Sequence, residues 1–109
     1  MKETDETTAP ILSHVSNSAI VHLPGRKFPA VAIQGDSLSI MLSQAKFFAS
    51  EFLKEKNEEL YFEALDLALK LQAHLTHYEY VLEKKGMTIP YAPSVKENRI
   101  ADEWEKVSG

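Results

Sequence analysis

The order of apolar and polar positions divides the chain at Gly35 into an extended part and a helical part. Before Gly35, short apolar runs alternate with turn residues, which is typical of strands joined by tight turns. The three predicted strands are Ile11–Val15, Ala19–Leu23 and Phe28–Gln34. Pro24-Gly25 favours a type II turn, because proline presets the first central position and glycine accepts the positive φ of the second. Pro29 lacks an amide donor, so we expect it to lie outside the strand pairing.

After Gly35, apolar residues recur at three- and four-residue spacing, which predicts an amphipathic helix. Asp36 or Ser37 is expected to cap this helix by accepting first-turn amides. Its single apolar stripe comprises Leu38, Met41, Leu42, Ala45, Phe48, Ala49 and Phe52. Ile40 and Phe47 fall on roughly the opposite side. We therefore expect something other than the second helix to bury them, either the sheet or a second copy of the chain.

A longer helix is predicted between Asn57, the expected N-cap, and Gly86, the expected C-terminal stop. Its main apolar stripe consists of Leu60, Ala64, Leu67, Ala68, Leu71, Leu75, Tyr78 and Leu82. A second stripe beside it consists of Phe62, Leu65, Leu69 and Tyr80. Such a broad apolar surface requires more than one neighbour, which we expect to be the first helix, the sheet or another subunit.

Beyond Gly86, the prolines at 90 and 93 predict an extended segment. Ser94-Val95-Lys96-Glu97 matches a capping box and predicts a last short helix carrying Ile100, Trp104 and Val107. The predicted fold class is α+β: a small antiparallel β-meander of two to three strands packed on an antiparallel pair of α-helices, with an extended C-terminal arm or short terminal helix. We divide the chain into an acidic disordered tail (1–9), a single α+β domain (10–93) and the arm (94–109).

Composition restricts the class of protein. The chain has 109 residues, of which 44% are apolar and 26% charged, as expected of one globular domain. It has no cysteine, which excludes disulfides and thiolate chemistry and suits a reducing cytoplasm. The net charge of −4 without a long basic run argues against nucleic acid as a partner. No apolar stretch approaches the roughly 18 residues of a membrane span, and no secretory signal is apparent.

The second helix carries the one constellation with metal-binding chemistry. Its members share one side of the helix and are Glu63, Asp66, Lys70, His74 and His77. His74 and His77 have a spacing that suits a metal ion. The simpler interpretation is a solvated face on which Asp66 pairs with Lys70, and we predict neither a metal nor a cofactor. Ser37 lacks the surroundings of a hydrolase nucleophile, and no catalytic residues are predicted.

Three further features are candidates for contact with a partner. Arg26 and Lys27 form the one compact basic spot, at a predicted hairpin tip, and suit a carboxylate or phosphate. The alternative is that they only keep the turn solvated. Trp104 is either an interface anchor or a side chain that folds back over the core. Ile40 and Phe47 complete the set of candidates.

Two short motifs carry a resemblance. Leu23-Pro24-Gly25-Arg26 with Phe28-Pro29, followed by Gln34-Gly35-Asp36-Ser37-Leu38, resembles a small bacterial family of unknown function over about Ile11 to Tyr91. From Ala19 to Ala49 the chain is more remotely similar to HicB-type antitoxins, in which three strands lead into a Gly-Asp-Ser/Thr-Leu helix start. That resemblance implies a non-catalytic domain that binds a small toxin.

These observations together predict a non-enzymatic protein-binding module of the immunity or antitoxin kind, present as a homodimer. Three short strands make a marginal sheet, and a second copy would bury the remaining apolar side chains. The alternative is a regulatory domain that binds a small molecule or metal in a pocket formed by residues such as His22, Gln34, His74 and His77. An enzyme ranks third.

Overall fold

A computed structural model describes residues 8–13 and 18–100. The chain divides into two compact units, Met1–Gln34 and Gly35–Gly109, so the boundary falls where the sequence pattern changes. The first unit contains a three-stranded antiparallel sheet and the second contains two helices. The α+β class is therefore confirmed.

The sheet is a meander in the order β1-β2-β3. Its strands are β1 Ile11–Ser13, β2 Ser18–Val21 and β3 Ala30–Ile33. The pairing of β1 with β2 shifts register between Ile11 and Ser13, whereas β2 and β3 pair continuously from Ser18↔Ile33 to Val21↔Ala30. The second and third strands are shorter than predicted, because Leu23 already belongs to the turn and Pro29 has no amide to donate.

The turn between β2 and β3 has the predicted geometry. Gly25 has a φ of 76°, and the Arg26 amide donates to the Leu23 carbonyl at 3.2 Å. His22 reinforces the turn, since its Nε2 donates to the Arg26 carbonyl oxygen at 2.8 Å. The Pro24-Gly25 pair thus determines the type II turn that joins β2 to β3.

The second unit is built on α1 (Gly35–Lys54) and α2 (Glu58–Lys84), which pack against each other. Asn57 caps α2 as predicted, because its Oδ1 accepts the Leu60 amide at 3.2 Å. The same residue closes α1, since its amide donates to the Phe52 carbonyl at 3.0 Å. Lys56, which lies between the end of α1 and Asn57, has a φ of 59°. One three-residue connection therefore satisfies both helix ends.

The far end of α2 stops at the predicted place. Gly86 has a φ of 69°, and its amide donates to the Glu83 carbonyl at 3.1 Å. The Met87 amide donates to the Leu82 carbonyl at 2.9 Å. These two bonds make a Schellman motif, which uses the freedom of glycine to take a left-handed conformation.

The core of the helical unit lies between α1, α2 and the segment that follows α2. Its buried residues are Leu42, Ala45, Ala68, Leu75, Val95 and Ile100. Alanines at 45 and 68 allow close approach, and Ala68 and Leu75 have no exposed surface. Val95 and Ile100 come from the segment predicted to be an arm, so part of that segment belongs to the core.

The capping box at Ser94 forms as predicted but does not begin a helix there. The Glu97 amide donates to Ser94 Oγ, and the Ser94 amide donates to Glu97 Oε1, at 3.2 Å and 3.1 Å. The residues that follow Ser94 form a turn over 95–97. Trp104 and Val107 lie outside the described residues.

The apolar stripe of α1 was predicted too broadly. Leu42, Ala45 and Ala49 are buried, whereas Met41 and Phe48 are exposed. The reason is that α1 meets its neighbours through a narrow strip containing small alanines, so side chains about 100° away around the helix stay outside. Ile40 and Phe47 are exposed as well, and α2 does not cover them.

Candidate functional site

One side of α1 turns away from the core and forms an exposed surface that we call the α1 outer face. Its six residues are Ser39, Ile40, Ser43, Gln44, Phe47 and Phe48. Ile40 is 62% exposed and Phe47 58%, and the Phe47 and Phe48 rings meet edge to face with their centroids 5.7 Å apart. None of the six residues carries a charge. Large exposed apolar side chains on an uncharged helix face are typical of a contact surface.

A second surface, the interhelical groove, runs between α1 and α2. It is a shallow depression of about 570 Å³, lined by Phe48, Phe52, Leu60, Glu63, Ala64, Asp66, Leu67 and Lys70. Phe48 and Phe52 stack with their ring centroids 6.5 Å apart, and Phe48 and Leu67 are each 53% exposed. Because Phe48 belongs to both surfaces, the groove and the α1 outer face are continuous.

The charged side chains of the groove lie on α2. Lys70 Nζ and Asp66 Oδ2 are 3.0 Å apart, which confirms the predicted ion pair, and both side chains are exposed. From Glu58 to Lys70, α2 has four acidic residues and one lysine. Among the residues that line the groove, Lys70 offsets Asp66, so Glu63 gives the α2 side a net charge of −1 around an apolar floor, which favours a partner with the opposite sign.

His74 and His77 are both exposed on α2. Within the described residues, no three histidine, aspartate or glutamate side chains come together as a metal site. A metal held by this pair alone would need its remaining ligands from water or from another molecule.

The hairpin tip in the first unit exposes Arg26 and Lys27. Lys27 Nζ lies 5.4 Å from the centre of the Phe28 ring, a cation–π distance. The Arg26 carbonyl is taken by His22, so what the tip offers a partner is two cationic side chains and an exposed aromatic ring.

The start of α1 is fitted to α2 at Gly35. A Cβ at this position would overlap the ring of Tyr78, so packing requires a glycine here. Asp36 lies in the first turn of α1, which begins at Gly35, and its Oδ1 accepts the Ser37 amide at 2.8 Å. The Gly35-Asp36-Ser37-Leu38 run therefore serves the junction with α2 in addition to starting the helix.

A buried polar cluster, which the sequence pattern does not predict, holds the segment after α2. Glu79 is buried, and its Oε2 accepts bonds from the Tyr91 hydroxyl and the Val95 amide, both at 2.7 Å, while its Oε1 accepts from the Lys96 amide at 3.3 Å. Gln72, also buried, accepts the Ile100 amide through Oε1 at 2.8 Å. The only sequence signal was two polar residues on an otherwise apolar side of α2.

Tyr91 is held from two sides. Its ring stacks on Tyr78 with the centroids 6.4 Å apart, and its hydroxyl donates to Glu79. Burial, and then the hydrogen bond to the Glu79 carboxylate, raise the pKa of Tyr91 above its usual value. The cleft beside it, between α1 and residues 91–98, has a volume of about 70 Å³. That volume admits a few waters and is too small for an organic ligand.

A family of unknown function (DUF6959) matches residues 4–91. The chain belongs to this family. The match includes the sheet, both helices and Tyr91, and it ends before Val95 and Ile100. No curated protein and no solved structure gives a significant match.

The structure brings Ile40 and Phe47 together on the α1 outer face, and it places Arg26 and Lys27 at the hairpin tip of the other unit. Trp104, the remaining candidate, lies outside the described residues. The interhelical groove was missed as a surface, because its side chains were assigned to stripes that pack inward. Among the described residues, no helix is long and apolar enough to cross a membrane.

Proposed function

We propose that the chain is a non-enzymatic protein-binding module of the immunity or antitoxin kind, which inhibits a partner by covering its working surface. The observation that carries this proposal is the interhelical groove. Phe48 and Leu67 present half of their surface to solvent there, and a single chain gains nothing from exposing them. The absence of cysteine fits a protein that acts in the cytoplasm.

The occupant that fits the groove is an amphipathic helix of the partner with a basic flank. Two packed helices leave an open channel along their line of contact, and a third helix fills such a channel with its apolar side. Glu63 at the margin attracts lysine or arginine on that helix. Arg26 and Lys27 are a second candidate contact, suited to a carboxylate on the same partner.

The test begins with a photoreactive phenylalanine analogue at position 67, introduced into the protein in its native cells. The same analogue at Tyr80, an equally exposed position on α2 outside the groove, is the control. We expect one protein to cross-link through position 67 and not through position 80. Its affinity is then measured with the purified pair.

In that measurement, Leu67→Asp should weaken binding more than tenfold, since it places a charge in the apolar contact. Glu63→Lys should weaken binding and make it less sensitive to salt, because a favourable charge pair is lost. Tyr80→Asp should have no effect. If Leu67→Asp binds as tightly as the unaltered chain, the groove is not the binding surface and the proposal fails.

A further inference from the structure

We propose that the α1 outer face is the interface of a homodimer in which the α1 helices of two copies pack antiparallel around a two-fold axis between Ser43 and Gln44. This goes beyond the proposed function, which concerns the groove beside this face and a different protein. It also assigns a neighbour to Ile40 and Phe47, which α2 leaves exposed.

The spacing of the six residues makes the face self-complementary. A two-fold interface requires that if one residue contacts another, the reverse contact also occurs. With an axis midway between Ser43 and Gln44, each residue of the face lies at the same height as another residue of the same face on the second copy. Ile40 of each copy is opposed to Phe47 of the other, which gives two symmetric pairs, and Ser43 and Gln44 flank the axis.

These pairs also match in size and direction. Ile40, Gln44 and Phe47 follow one line along α1 at four- and three-residue spacing, which is the spacing of a helix–helix seam. Ser39 and Phe48 lie half a turn apart around α1, at the two edges of the face. The helices approach through one large apolar pair on each side of a polar centre.

The charge of the chain is compatible with a second copy on this face. Two copies of a chain with net charge −4 repel each other, so contact between them needs a surface without charge. The α1 outer face is such a surface. One turn beyond Phe47, Glu51 comes opposite Asp36 of the second copy, but Glu51 is already paired with Lys54 at 3.2 Å and is exposed to screening ions.

The area is sufficient for a weak dimer. Ile40 and Phe47, which face the second copy, are each more than half exposed, and complete burial of an aromatic side chain removes about 150–250 Å² from solvent. With Ser43 and Gln44, each copy contributes on the order of 400 Å², so the dimer buries about 800 Å², which is the size of a weak, transient contact. We therefore expect a dimer that dissociates on dilution and is strengthened by salt.

The first experiment uses the absence of natural cysteine. Gln44→Cys places two thiols next to the proposed axis, within the distance that a disulfide spans. Ser50→Cys, on the same helix, places them about 20 Å apart in the antiparallel register. We expect mild oxidation of the full chain to cross-link Gln44→Cys into dimers and to leave Ser50→Cys monomeric. Efficient cross-linking through Ser50→Cys would overturn the register and with it the proposal.

The second experiment measures mass by light scattering at high protein concentration. The unaltered chain should approach twice its mass of 12.3 kDa, and Phe47→Asp should return it to the monomer with an unchanged circular dichroism spectrum. Tyr80→Asp, which adds a charge at an equally exposed ring of α2, should stay dimeric. An unaltered chain that remains monomeric overturns the proposal, while cross-linking of another protein through position 67 would still support the groove. If the chain is a dimer but position 67 cross-links no other protein, the proposed function is refuted and the dimer proposal stands.

Discussion

Lys56 occupies a position where helices usually place glycine. Its φ of 59° lies in the left-handed region, in which a side chain meets the backbone. The two hydrogen bonds that close α1 around it, from the amides of Lys56 and Asn57, hold it there. The left-handed conformation of Lys56 is therefore slightly strained, and it lets the backbone groups at both helix ends form hydrogen bonds.

We expect Lys56→Gly to increase the free energy of unfolding by about 0.5–1 kcal/mol, because glycine adopts this φ without steric cost. Ala73→Gly, at an exposed position inside α2, should decrease it by about 0.5–1 kcal/mol, since glycine is the poorer helix former. Urea denaturation of both variants checks the pair. A loss of stability in Lys56→Gly would show that the lysine side chain contributes something beyond its conformation.

Gly35 is required for a different reason, since the ring of Tyr78 occupies the space that its Cβ would fill. We expect Gly35→Ala to cost about 1–3 kcal/mol through overpacking. In a Tyr78→Ala background the same change should cost almost nothing, because the ring is gone. Equal costs in the two backgrounds, measured by chemical denaturation, would mean that backbone freedom and not packing explains the glycine.

At the scale of elements, the features that the sequence predicted are those decided within a few residues. The Pro24-Gly25 turn, the Asn57 cap, the Gly86 stop and the bonds of the Ser94 capping box each depend on neighbours in sequence. The width of the α1 stripe depends instead on how closely Ala45 and Ala68 let the helices approach. For that reason the burial of Met41 and Phe48 was predicted incorrectly.

The hydrogen bonds that attach the segment after α2 could not be predicted from sequence patterns either. Glu79 looks like any acidic residue of a long helix, and its partners lie 12 to 17 positions away. Its carboxylate is acceptable in a buried place only because a hydroxyl and two amides donate to it. Nothing in the spacing of Tyr91, Val95 and Lys96 indicates that they converge on one carboxylate.

Tyr91 should make this attachment sensitive to high pH. Its pKa is raised in the folded state, so the folded chain holds the phenolic proton more tightly than the unfolded chain does. The resulting stability is complete below the usual tyrosine pKa of about 10 and is lost as the pH rises above it.

We expect Tyr91→Phe to lower stability at neutral pH by about 1.5–3 kcal/mol, since the buried carboxylate loses a hydrogen bond. Above pH ~10 its stability should fall less steeply than that of the unaltered chain. Tyr80→Phe, at an exposed ring, should keep the original slope. Denaturation at a series of pH values gives the free energy of unfolding of each variant. If this free energy falls with pH equally steeply in Tyr91→Phe and in the unaltered chain, Tyr91 is not the cause of the pH dependence.

For the whole molecule, the helical unit depends on residues beyond the family match. DUF6959 matches through Tyr91, yet Val95 and Ile100 are two of the buried core residues. Burying each is worth roughly 1.5–3 kcal/mol. Without this segment, two backbone hydrogen bonds to the Glu79 carboxylate, worth about 1.5–3 kcal/mol each, and one to Gln72, worth about 0.5–1.5 kcal/mol, are lost.

A chain that ends at Tyr91 should therefore be largely unfolded, because these losses together approach the roughly 5–15 kcal/mol that stabilises an ordinary domain. A chain that ends at Ile100 keeps both core residues and all three amide donors, so it is the matched control and should unfold cooperatively. Circular dichroism during urea denaturation distinguishes the two. If the shorter chain unfolds at the same urea concentration as the longer one, α1 and α2 form a stable pair by themselves, and the segment after α2 is a covering that the fold does not need.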